Sequence, residues 1–298
     1  MKKKVLATVL SCAMVFCLAG CTGKDENVNS TTAETTTEVT SEVTTEETSE
    51  VTTEATTEAT TEATTEATTE ATTEESSTAN EAVKGEGVMT YAEYVAADLE
   101  TEVTVEVYVQ AHQSWWKDAI TVYAQDEDGA YFLYNMACSE EDAKKLVPGT
   151  KIKVTGYKSE WSGEIEITDA TFEFLEGSYI AEPVDVTALL GKDELIDYQN
   201  QKVAFTGLTV VAKNDEGAAF LYSWDGSGSH DSNSDLYFDV ADADGNVYSF
   251  AVESYLCDNT TDVYAAVENL KVGDVLDMEG FLYWYNGVNP HITSVKVK

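Results

Sequence analysis

Two stretches of this 298-residue chain are written to one plan. Residues 147–163, VPGTKIKVTGYKSEWSG, place Gly149, Gly156 and Gly163 seven apart. Residues 271–287, KVGDVLDMEGFLYWYNG, place Gly273, Gly280 and Gly287 at the same interval, again with strand-like residues and a tryptophan between them. A glycine inside a strand marks a bulge, a sharp bend or the close approach of another backbone. A fixed glycine in each of two such strands therefore asks for a sheet that bends strongly, twice over.

Reading outward from the glycines extends the repeat. Each triplet follows a short capped helix: SEEDAKKLVPG (139–149), with Ser139 as N-cap and an end before Pro148, and DNTTDVYAAVENLKVG (258–273). Ahead of each helix lies a hairpin pattern with Asp-Gly at its turn, ITVYAQDEDGAYFLY (120–134) and LYFDVADADGNVYSF (236–250). Earlier still come the strands TVEVYVQA (104–111) and KVAFTGLTVVA (202–212), each behind a helical or turn-like lead, TYAEYVAAD (90–98) and VTALLGKDELIDY (186–198). Each copy reads strand, strand, strand, helix, strand, strand, which is the order of the OB-fold. One two-sheet sandwich over the whole region is the alternative; a helix repeated at one fixed slot argues against it.

The Gly-spaced strands and the lead ALLGKDELIDYQNQKVAFTGLTVV (188–211) resemble the tandem OB-fold modules of secreted bacterial lipoproteins, over about two thirds of the chain. The resemblance implies a fold and a location, and no activity. The expected class is all-β with small helices: two tandem OB-fold-like five-stranded barrels behind a disordered stalk. The expected divisions are a lipoprotein signal peptide (1–21), a Thr/Glu-rich linker (22–87) and OB-like domains at 88–180 and 181–298.

The N-terminus supports that location. MKKKVLATVLSCAMVFCLAGC joins three lysines, a short apolar run and Leu18-Ala19-Gly20-Cys21, the layout of a secretory signal with small residues before a cysteine. Processing there leaves Cys21 as the lipid (palmitate) attachment point, on the extracellular face of a bacterial cytoplasmic membrane. A plain transmembrane anchor is the other reading, but the run is short for the hydrocarbon core. The stretch that follows contains five TTEA units from Thr52 to Ala71, has no apolar face, and repeats one sign of charge. It reads as a disordered linker, with a reach of roughly 45 Å if flexible.

From Val88 onward, 38 acidic residues face 12 lysines, and the whole chain has no arginine. Phosphate backbones are held by Arg and Lys, so this balance counts against nucleic acid as a partner. Cys138 and Cys257 precede the helix in each repeat and are expected as buried small residues rather than a disulfide.

OB-folds take ligands on strands 2 and 3 and in the loops 1–2 and 4–5. All five tryptophans map to such loops: Trp115 and Trp116 in HQSWWKD, Trp161 in SEWSG, Trp224 opening WDGSGSHDSNSD, and Trp284 between Tyr283 and Tyr285. His112, His230 and His291 lie in or beside three of them. Rings of this kind either close barrel ends or offer stacking faces to a sugar, a peptide or a base. Asp126, Asp128, Asp242 and Asp244 present hard oxygens for Ca²⁺, but the hairpin turn already accounts for them and the full loop spacing is missing. Neither a zinc set nor a catalytic constellation is written here. The expectation is a non-catalytic, monomeric surface protein without cofactor. It binds a glycan or other envelope ligand through Trp115, Trp116, Trp161, Trp224, Trp284, Tyr283 and Tyr285, or else serves as a protein-interaction module of the envelope. Single-stranded nucleic acid, the habit of many OB-folds, is a third reading by fold analogy alone, set below these two by the charge balance.

Overall fold

The computed structural model describes residues 84–298; the signal, Cys21 and the TTEA repeats lie outside the described residues. A one-and-a-half-turn helix α1 (Tyr91–Ala96) opens the described part. Thr90 and Glu93 close it as a reciprocal capping box, the Thr90 side chain accepting from Glu93 N and the Glu93 carboxylate from Thr90 N.

The first barrel then runs β1 (Glu102–His112), β2 (Ala119–Gln125), β3 (Ala130–Ala137), α2 (Glu140–Ala143), β4 (Thr150–Trp161) and β5 (Glu164–Ser178). Its strands close in the order β1-β2-β3-β5-β4, antiparallel except for the parallel pair β3–β5. The second barrel runs β6 (Val184–Asp185), two 3-10 turns (Thr187–Leu189 and Asp193–Tyr198), β7 (Lys202–Val211), β8 (Phe220–Tyr222), β9 (Leu236–Ala241), β10 (Val247–Val252), α3 (Asp262–Glu268), β11 (Val275–Phe281) and β12 (His291–Val297). With the short β6 and β8 set aside, its order β7-β9-β10-β12-β11 reproduces the first, down to the parallel pair β10–β12. The helices are shorter than their patterns suggest. α2 is a single turn capped by Ser139, and α3 is capped by Thr261, Asp258 being used in a turn with Thr260.

The doubled glycines have a common cause. Gly156 pairs with Val103 and Gly280 with Val203, each at a bulge where the strand bends to close its barrel. A Cβ on Gly156 would lie 2.7 Å from both Ile167 Cγ2 and Thr168 O; one on Gly280 would run into the backbone of His291 and Ile292. Only glycine lets these backbones approach so closely.

Period-two burial fills each interior. Val103, Val105, Val107 and Val109 of β1 all point inward and are fully buried, each contributing about 1.5–3 kcal/mol on leaving water. Cys138 packs in the first core and Cys257 in the second, both as free thiols. β3 departs from alternation: Tyr131 and Leu133 enter the first core, while Phe132 turns outward against Tyr123 and Phe281 in a separate cluster joining the barrels.

Candidate functional site

Where β2 and β3 leave that joint, the pairing slips. Val122 faces Leu133 and Ile120 faces Met136, so Tyr134 and Asn135 together oppose Thr121. This is a bulge, which re-aims side chains. Asn135 sits in the left-handed region at φ 47°, and its N–H donates to Thr121 Oγ1 at 3.1 Å. Tyr134 is thereby turned out of the sheet and exposed.

Two hollows meet at Tyr134. One, of about 380 Å³, lies among Trp116, Thr121, Asn135 and Tyr255; the other, of about 320 Å³, lies among Trp161, Glu166 and Tyr283. Together they form a groove along strands 2 and 3 of the first barrel, between its 1–2 loop and its 4–5 hairpin. Tyr255 and Tyr283 of the second barrel complete the wall. Trp116, Trp161 and Tyr255 are 68, 60 and 66% exposed. Lys117 Nζ lies 5.0 Å over the Trp116 ring, the one cation among the described residues placed on a groove aromatic. Burial pushes the Glu166 carboxyl above its ordinary range.

The groove wall is held from below. Ser162 and Gly163, at φ 53° and 91°, turn β4 into β5 and leave Trp161 opposite Glu164. Trp284 packs against that turn: a Cβ on Gly163 would come within 2.9 Å of its Cδ1. Trp284 N donates to Glu164 Oε2 at 2.9 Å, Asn286 N to Ser162 O at 2.7 Å, and Ser114 N to Tyr255 O at 2.7 Å. Tyr283 stacks on His291, with centroids 4.4 Å apart.

The remaining expected residues have other places. Trp115, beside the exposed Trp116, is half-buried against the first core, and its indole N–H donates to Cys138 O at 2.9 Å. Trp224 is 77% exposed in its own loop and lines neither hollow. Tyr285 is exposed beyond the groove wall, its N–H bonded to Gly287 O. His112 Nδ1 pairs with Gln113 O, and His230 Nδ1 with Glu268 Oε1. Asp126 Oδ1 takes the N–H groups of Asp128 and Gly129, and its Oδ2 pairs with Lys84 at 2.8 Å. Asp242 is bound in the same way by Asp244, Asn246 and Tyr248. Among the described residues, no three His, Cys, Asp or Glu side chains converge as a metal site. Tyr134 and Tyr255, which stand in none of the expected binding loops, are central to the groove.

No protein-family model matches this chain, and no curated protein matches it. Solved structures do. The p204 HINb domain is similar at 11% identity and a TM-score of 0.31, over 68% of this chain and 100% of that one. The Ifi202 HINa domain, in complex with 20-bp double-stranded DNA, is similar at 15% identity and a TM-score of 0.29, over 67% and 96%. A replication protein A heterotrimer bound to single-stranded DNA is similar at 11% identity and a TM-score of 0.27, over 66% of this chain and 49% of that one. At these identities the likeness concerns the fold. These neighbours are HIN and replication proteins and do not extend the resemblance to bacterial lipoproteins. One expectation, that the charge balance makes nucleic acid an unlikely partner, is corrected: two of these similar structures are DNA complexes. The physical reason is that stacking on exposed rings needs no arginine.

Proposed function

We propose that this chain is a non-catalytic binding protein that stacks the rings of a linear ligand along the groove, with single-stranded nucleic acid as the ligand class. The observation that carries this is the run of exposed aromatics Trp116, Tyr134 and Trp161 on strands 2–3 and loops 1–2 and 4–5 of the first barrel, walled by the half-buried Tyr283 of the second, the surface on which OB-folds take oligonucleotides. Base–aromatic stacking contributes about 1–3 kcal/mol per base. With Lys117 as the cation at the groove, binding rests on stacking, and log K falls with log salt by a slope of only about −0.7 per phosphate neutralised.

A second reading is favoured by the acceptors beside the rings. Gln113, Thr121, Asn135 and Glu166 suit the hydroxyls of an oligosaccharide stacked on the same faces. One experiment separates the two. Tryptophan fluorescence of the full chain is followed with an oligothymidylate of roughly 16–32 nucleotides, at about 4–16 per barrel, and with β-linked oligosaccharides. Quenching by the oligothymidylate that Trp116→Ala abolishes supports the first reading. Quenching by a sugar alone moves the assignment to the second, and quenching by neither removes the groove as a ligand site.

We also propose, from Leu18-Ala19-Gly20-Cys21 and the apolar run before it, that the chain is exported and held at the outer face of the membrane by lipid on Cys21. Incorporation of labelled palmitate into the chain, absent in Cys21→Ala, is the expected result; equal labelling of the two would exclude it.

A further inference from the structure

Each barrel sends one carboxyl into the other across the joint below the groove. Glu164, at the start of β5 in the first barrel, is fully buried. Its Oε2 accepts from Trp284 N at 2.9 Å and from Gln199 Nε2 at 3.2 Å, both of the second barrel, while Oε1 has no partner. Glu253, just after β10 in the second barrel, accepts from Gln113 Nε2 of the first at 3.1 Å, and its other oxygen accepts from Tyr255 N at 3.2 Å. Asn200 lies against the Glu164 carboxyl, and its own Oδ1 is likewise buried without a donor. Two unpaired acceptors in one dry place are costly. A proton on Glu164 supplies the O–H that they lack.

The surroundings favour that proton. Around Glu164 stand Glu166 on its own strand, Tyr94 of α1, Tyr123 of β2 and Tyr283 of the second barrel. Around Glu253 stand Asp235, Tyr237, Cys257, Tyr123 and Tyr283. Between them His291 bonds Tyr123, and its burial keeps it neutral. None of these groups is a cation; Lys158 of β4, 5.3 Å over the Tyr94 ring, spends its N–H groups on the carbonyls of Tyr94, Val95 and Ala97. Burial first, then Glu166, pushes Glu164 up to about 8, against the hydrogen bonds from Trp284 and Gln199; burial and Asp235 push Glu253 up to about 7. Both affinities are raised above the unfolded value. Their stabilising contribution is therefore complete below about pH 4.5 and is lost as pH rises through 7 to 8.

We propose that the joint between the barrels is proton-gated at Glu164: with Glu164 protonated the barrels stay locked, and loss of the proton, which leaves a charged oxygen buried without a donor, releases the 283–287 loop. That loop carries Tyr283, so the gate sets the width of the groove. That consequence rests on the groove being the ligand site; the joint itself does not.

Carboxyl ¹³C NMR of the full chain tests the proposal without any variant. Glu164 is expected to titrate near 8, and the amide signal of Trp284 to move with the same midpoint. Titration of Glu164 in the ordinary glutamate range, or an amide that does not follow it, overturns the gate. Glu164→Gln, close in shape to the protonated side chain, should abolish that movement. Oligothymidylate affinity should fall several-fold from about pH 6 to about pH 9 in the parent and stay level in Glu164→Gln. Level affinity in the parent overturns the effect on the groove. A Glu164 carboxyl that titrates as expected in a chain that binds no oligothymidylate leaves the joint standing and removes the nucleic-acid reading instead.

Discussion

Tyr123 Oη lies 2.7 Å from His291 Nδ1, a hydrogen bond that ties the second strand of one barrel to the last strand of the other. Both residues are buried, and Tyr123 also stacks on Phe281 with centroids 4.4 Å apart. Tyr123→Phe keeps the ring and removes the hydroxyl, leaving an imidazole nitrogen unpaired in the joint. We expect a loss of about 1–3 kcal/mol, measured as a lower urea midpoint of the full chain. An unchanged midpoint would show that the bond contributes nothing.

The same histidine sets the acid side of the stability profile. Burial pushes His291 down to about 4, while an unfolded histidine titrates near 6.5. The unfolded chain takes up the proton first, so the contribution of neutral His291 is present above about 6.5 and is lost as pH falls toward 4. Glu164 and Glu253 work in the opposite sense, losing theirs as pH rises through 7 to 8. Melting temperature against pH should therefore pass through a maximum. Glu164→Gln should flatten its alkaline limb and leave the acid limb in place; loss of the acid limb in that variant would refute the assignment.

Much of the architecture was readable because its signals are local. The Asp-Gly hairpins, the cap at Ser139 and the strand glycines act within a few residues of themselves, and all fall where expected. The groove depends on longer relationships. Tyr134 reaches it through a bulge whose mark in the sequence is the break in alternation at Tyr134-Asn135, and Tyr255 stands in a turn that no local pattern distinguishes. The joint left a fainter trace: the unbroken apolar run Tyr131–Tyr134 signals a strand covered on both faces, but not by what. Adjacent tryptophans with opposite uses could not be told apart at all, because loop membership does not fix which way a ring points.

Glycine substitutions separate close approach from turn geometry. Gly280→Ala forces a methyl into the backbone of His291 and Ile292, and rigid backbone gives way at a cost of about 1–3 kcal/mol or more. Gly156→Ala should behave alike. At Gly245, where the space is open but φ is 84°, alanine meets only the left-handed penalty of about 1–2 kcal/mol. Denaturant midpoints should rank Gly280→Ala lowest and Gly245→Ala nearest the parent; the reverse order would mean that the barrels close without the bulges.

Trp115 and Trp116 offer the sharpest division of labour in the chain. The Trp115 N–H bonds Cys138 O and its ring packs on the first core, whereas Trp116 stands out over the groove beneath Lys117. Trp115→Phe should lower stability by about 1 kcal/mol for the lost hydrogen bond and leave the oligothymidylate affinity of the folded chain within about twofold. Trp116→Ala should do the reverse, keeping the denaturation midpoint and weakening binding by about 1–3 kcal/mol, a fold-change of roughly 5 to 150. Trp224→Ala, exposed but outside the groove, should change neither. If Trp224→Ala weakens binding as much as Trp116→Ala does, the ligand follows the second barrel's long loop rather than the groove.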